Sequence, residues 1–237
     1  MAIASPPPAP PPTVQRAYSP SAGVLSYLVP GLGQIVQGRV GKGLLFFVCI
    51  YTLFFYGLYL GTETVTIEGR PYRITGNVYL PDAAEPARTD RTPLFLQNLY
   101  IRPQFAGQFW VGVAAWPAIL QYRAYDRHRA EQVEGELDGY YRELAALKGN
   151  DPNNEAPAKQ TQIDELEKSQ RLPLVGDLMR EPGPRAMNVV QNAGDKRLEL
   201  AWVYTVIAGV LNIMVIYDAV AGAAYPSGDY EPGRDAL

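Results

Sequence analysis

The stretch Leu44 to Thr62, LLFFVCIYTLFFYGLYLGT, constrains the chain more than any other. It carries no charge and shows no helical alternation of apolar with polar positions. A helix buried in a soluble core has such a composition over about ten or twelve residues. Sustained over about nineteen with no polar stripe, it matches the length needed to cross a hydrocarbon layer. It reads as a transmembrane helix, and Tyr51, Tyr56 and Tyr59 suit an interfacial aromatic belt.

Three other stretches also lack charged residues: Ser21 to Gln37, Phe105 to Tyr122 and Leu200 to Tyr217. In the first, Pro30 has no amide hydrogen, so the carbonyl of Ser26 loses its usual helical donor. That segment is expected to be a short, kinked or re-entrant helix, with its break turned toward protein, where side chains such as Gln34 and Gln37 re-satisfy the backbone. In the last, Ala201, Thr205, Ala208, Asn212, Val215 and Ala219 recur at spacings of four and three. They gather small and polar side chains into one helix-packing stripe, and Asn212 suits an interhelical hydrogen bond.

The expected fold class is mainly α: an integral membrane protein with four transmembrane helices, a small external β-hairpin and a cytoplasmic helical insertion. The organisation reads as a disordered Pro-rich tail over 1–20, a transmembrane helical hairpin over 21–62 and an extracytoplasmic β-containing region over 63–104. A third membrane helix follows over 105–122, then a charged helical region and linker over 123–199, a fourth membrane helix over 200–221 and an acidic tail over 222–237. The β element rests on TVTIEGRPYRITGNVYLP, where β-branched and apolar residues alternate around turn residues. In the charged region, RHRAEQVEGELDGYYRELAALKGN and TQIDELEKSQRL read as helices on either side of the linker DPNNEAPAKQ. With four spans, Arg39, Lys42, Arg123, Arg127, Arg129, Lys196 and Arg197 fall on one side, and the acidic C-terminal tail on the other. The positive-inside bias then puts the long charged region in the cytoplasm and the C-terminal tail outside.

No catalytic machinery is visible. His128 is the sole histidine, which excludes a His-based triad or a multi-His metal site within one chain. Cys49 is the sole cysteine, so no intramolecular disulfide forms. The stretch PGLGQIVQGRVGKGLLFF imitates a phosphate-binding loop, but Val36 stands where the first glycine belongs and Gly43 where the hydroxyl must be. A formal net charge of −3 gives no reason to expect a nucleic acid. The expectation is a non-enzyme without cofactor, metal, nucleotide or nucleic acid, whose partners are the lipid bilayer and other membrane proteins or a second copy. It would serve as a scaffold or accessory subunit. The alternative is a small transporter or channel component, with Gln34, Gln37, Asn212 and Asp218 lining a polar path.

The glycine-rich reversal supplies one resemblance. Pro30, Gly31, Gly33, Gly38, Arg39, Gly41, Lys42 and Gly43 resemble the start of the two-transmembrane-helix domain family, in which an apolar helix enters a short glycine-rich turn before a second one. The resemblance implies a structural turn pinned by Arg39 and Lys42 at the cytoplasmic headgroups. The longer layout, with PGLGQ and GRVGKG near one end and AGVLNIMVIYDAVAG near the other, is similar to an uncharacterised family of bacterial membrane proteins.

Overall fold

A computed structural model of the chain describes residues 18–67, 70–75, 77–81, 94–124, 127–147, 151–183, 186 and 196–222. Of the tails expected over 1–20 and 222–237, residues 1–17 and 223–237 lie outside the described residues, as does the side chain of His128. The described chain is mainly helical. Two of its helices are long and apolar enough to cross a membrane: α3, Val40–Leu60, and the last helix, α9, Lys196–Ala221. They pack antiparallel, with Gly57 of α3 seated against Ala201 and Thr205 of α9 and Tyr56 edge-on to Tyr204.

The expectation of four spans is not met, because the first and third apolar segments each break in the middle. The first forms α1, Pro20–Leu28, and α2, Leu32–Val36, joined by a turn in which Gly31 adopts φ 83°. Pro30 cannot donate and Gly31 occupies the left-handed region, so the helix ends and the chain doubles back. After β1 (Thr62–Ile67) and β2 (Arg70–Thr75) comes α4, Leu94–Ile101. The third segment is α5, Pro103–Phe109, then a 3-10 turn over Gly112–Ala115, then α6, Trp116–Ala124. Here the break falls at Gly112, with φ 84°. Pro117 lies in the first turn of α6, where a missing amide hydrogen costs nothing.

The strands pair antiparallel from Thr62 opposite Thr75 to Ile67 opposite Arg70, the two-stranded version of the expected β element. The charged region forms α7, Arg127–Leu147, and α8, Ala156–Ser169, closed over Leu137, Leu144 and Ile163. α8 begins inside the stretch expected to be linker: Asp151 accepts from the backbone amides of Glu155 and Ala156, and Pro157 sits in the first turn, as helix starts allow.

The two broken segments share one long partner. α1 runs antiparallel to α9 from Ser19, whose amide donates to Val220 O at 3.0 Å. α5 enters from the opposite end, with Gly107 against Val206 and Gly209. The main apolar cluster, including Ile50, Phe54, Phe105, Val111, Ala118, Met179 and Val215, joins α3 and α9 to the second broken segment and to the loop after α8. A further correction concerns the ends of the molecule. Asp218, at the end of α9, lies against Arg39 and Lys42, so the C-terminal end of α9 is beside the glycine-rich turn and not opposite it. The β-hairpin and the α7–α8 region, expected on opposite sides, both emerge at the other end.

Candidate functional site

Ser26, left without its helical donor by Pro30, receives a hydrogen bond at its carbonyl from Asn212 Nδ2 at 3.1 Å. The same amide donates to Trp110 O at 2.8 Å. Asn212, fully buried, therefore joins the end of α1 to the end of α5, and both helix ends present carbonyls to it. Carbonyl ends of helices carry partial negative charge, so a shared donor is what this junction requires. The contact is tight enough that a β-carbon on Gly112 would overlap the carbonyl of Tyr27. Asn212 Oδ1 is buried with no hydrogen-bond partner among the described residues.

Toward the α9 C-terminus lies a second polar group. Ser26 Oγ donates to Gln34 Oε1 at 3.0 Å and accepts from the Gly33 amide at 3.2 Å. Gln34 Nε2 donates to Val215 O at 2.8 Å and to Asp218 Oδ2 at 3.1 Å. Gln37 Nε2 donates to Ala219 O at 2.8 Å. Asp218 also accepts from Arg39 Nη2 at 2.6 Å and from Lys42 Nζ at 2.7 Å. One carboxylate thus fastens the exit of the first hairpin to the end of α9.

The glycines divide by environment. Gly31 packs against Gly43, and Gly33 against the Ala22 carbonyl, so neither has room for a side chain. Gly38 holds φ 82° with open space around it, and Gly41 also faces open space. Pro30 is buried at the turn. Ala201, Thr205, Ala208 and Asn212 are all buried on one face of α9.

A third polar group, at the opposite end, was not singled out from the sequence. Asn77 Nδ2 and Gln108 Nε2 donate to Thr205 Oγ1 at 3.0 and 2.8 Å, and Arg102 Nη2 donates to Asn77 O at 2.6 Å. Arg102 lies over the Tyr79 ring, 3.6 Å from its centre. Burial holds the Arg102 guanidinium below its ordinary pKa, while Tyr79 and Glu181 favour its charged form. Burial also raises the Tyr79 phenol above its usual value. The available signal was a polar residue inside an uncharged run, Gln108 in FAGQFWVGVAAW, which the hydropathy reading averaged away.

Of the four residues of the candidate polar path, Gln34 and Asp218 touch each other, whereas Gln37 and Asn212 each bond to separate backbone carbonyls. Residues 21–229 match the model of DUF6677, described as a family of unknown function, and the chain belongs to that family. No curated protein and no solved structure matches the chain.

Proposed function

We propose that this family member is a membrane protein that crosses the bilayer with α3 and α9, and that it works as a non-catalytic scaffold or accessory subunit of a membrane assembly. One observation carries the membrane part of the reading. The outward faces of the two long helices are apolar, through Leu44, Leu45, Phe47, Val48 and Phe55 on α3 and Val210, Leu211, Ile213 and Met214 on α9. The inward side of α9 is small or polar through Thr205, Ala208 and Asn212, and it meets Ile50, Phe54 and Gly57 on the inward side of α3. Only 28% of the apolar window of α3 and 33% of that of α9 is buried, the reverse of a soluble core helix. Both broken segments have the shielding that interrupted backbone needs in hydrocarbon, since protein surrounds the breaks.

The scaffold part rests on how the polar side chains are used. Gln34, Gln37 and Asn212 are engaged with backbone carbonyls, and Asp218 with two cations, which supports holding the fold together over moving a solute. Arg123, Lys196 and Arg197, all exposed, fall at the end carrying the α7–α8 region, while Arg39 and Lys42 at the other end are both paired with Asp218. The positive-inside bias favours that end as cytoplasmic, in a bacterial inner membrane, with the α7–α8 hairpin available for docking. Extraction tests the first part: the protein should resist alkaline carbonate and yield to mild detergent. Purification from mild detergent followed by mass spectrometry tests the second; absence of any stable partner or self-association overturns the scaffold reading.

A second reading, a conduction component, is favoured by Asn212 Oδ1, an unpartnered acceptor where the two broken segments meet. It predicts ion flux across proteoliposomes that Asn212→Ala abolishes. Absence of flux from the native protein removes it.

A further inference from the structure

The loop after α8 has a surface that neither reading uses. Residues Leu172 to Gly176, LPLVG, form a tight turn: the Leu172 amide donates to Gly176 O at 2.9 Å and the Gly176 amide to Leu172 O at 2.8 Å. Its tip holds no charge, Pro173 has no amide to satisfy, and Leu174 is 97% exposed. A leucine held out on a turn whose two ends are paired suits the boundary between headgroups and acyl chains, where its side chain meets lipid and the backbone of the tip stays within reach of water.

The position of the turn identifies that medium. Gln121 of α6 donates to Gly176 O at 2.9 Å and to Leu178 O at 3.2 Å, and Met179 is buried in the main apolar cluster. The turn is therefore fixed to α6. The apolar stretch of α9 from Leu200 to Tyr217 centres near Gly209. Gly112 lies beside the Asn212 junction, roughly 5 Å beyond that centre toward the Asp218 end. From Gly112 to Gln121 the chain rises at most about 15 Å along the 3-10 turn and α6. Gln121 then lies at most roughly 10 Å from the centre on the other side, within the ~15 Å half-thickness of a hydrocarbon core, and any tilt of α6 places it deeper. Exposed cations neighbour the turn, Lys168 and Arg171 at the end of α8 beside the carboxylates of Asp164 and Glu167, and Arg123 at the end of α6, and they suit contact with phosphate headgroups.

We propose that the tip of this turn, Pro173 to Val175, dips into the leaflet on its own side of the membrane, with Leu174 at the top of the acyl chains and Asp177 kept toward the headgroups, and so clamps the α7–α8 region against the bilayer. This rests on the membrane reading of α3 and α9. The full-length protein is reconstituted in phosphatidylcholine and phosphatidylglycerol vesicles containing lipid spin-labelled near the top of its acyl chain, or near the end of the chain for the Cys49 label, which sits at the middle of α3. Single-cysteine forms carry a bimane label at native Cys49, exposed on α3, at Leu174→Cys, or at Gln162→Cys on the exposed surface of α8, the last two in a Cys49→Ala background.

The label at 174 should lose about half or more of its fluorescence, as that at Cys49 does, and the label at 162 almost none. Quenching at Cys49 with none at 174 overturns the clamp and leaves the membrane reading standing. A blue-shifted but unquenched label at 174 means that protein covers the turn, and also overturns it. No quenching at Cys49 overturns the membrane reading itself. Leu174 makes no core contact, so its substitution should not compromise folding.

Discussion

Asn212 supplies one amide group to two carbonyls, so its substitution exposes both helix ends to each other. Asn212→Ala should lower stability by about 1–3 kcal/mol, the usual result of stranding buried acceptors. Asn212→Asp should be worse, because it turns an oxygen toward the carbonyls of Ser26 and Trp110. Reversible unfolding in mixed detergent measures both, and an Asp variant as stable as the native protein would rule the junction out. Glycine substitutions sort by the same local logic. Gly112→Ala meets the Tyr27 carbonyl at φ 84° and should lose about 1–3 kcal/mol, while Gly41→Ala, in open space within α3, should lie within about 0.5 kcal/mol of the native protein or gain slightly. Part of this was readable in the chain. Pro30 announces a freed Ser26 carbonyl and Asn212 a buried amide, but nothing local says that they meet across 186 positions.

The first hairpin is held at its exit by Asp218, and its two cations differ in shielding: the Arg39 side chain is 12% exposed and that of Lys42 is 43%. A double-mutant cycle for Arg39 and Asp218 should therefore give a coupling of about 1 kcal/mol or more, and one for Lys42 and Asp218 less than about 0.5 kcal/mol, with only the second largely erased by salt. Equal couplings would mean that Arg39 is as well solvated as Lys42. The two breaks were unequally legible. A proline marks the first. The second has its proline inside a permissive first turn and is made by Gly112, whose significance depends on the carbonyl of Tyr27 standing opposite. The charged helices were legible in kind, though α8 starts earlier than its apolar pattern suggests because Asp151 caps it from the linker.

With α3 and α9 alone crossing, Thr66 on the β-hairpin and Lys168 on α8 share one side, and Gly38 in the glycine-rich turn faces the other. Cysteines placed singly at these positions in the Cys49→Ala background should react accordingly with an impermeant thiol reagent in sealed, oriented vesicles. Labelling of 66 and 168 from opposite sides would restore the third apolar segment as a crossing. Hydropathy could not settle this, because it records how many uncharged residues a segment has and not whether the chain leaves by the face it entered. Both interrupted segments find their closest fit on α9, and that has a consequence for synthesis. When the ribosome has finished α3, the carbonyl freed by Pro30 is still waiting for an amide encoded far downstream. The hairpin cannot settle into its final place until α9 has been made, so a nascent chain stalled before α9 presents an unfinished surface that chaperones and proteases can recognise.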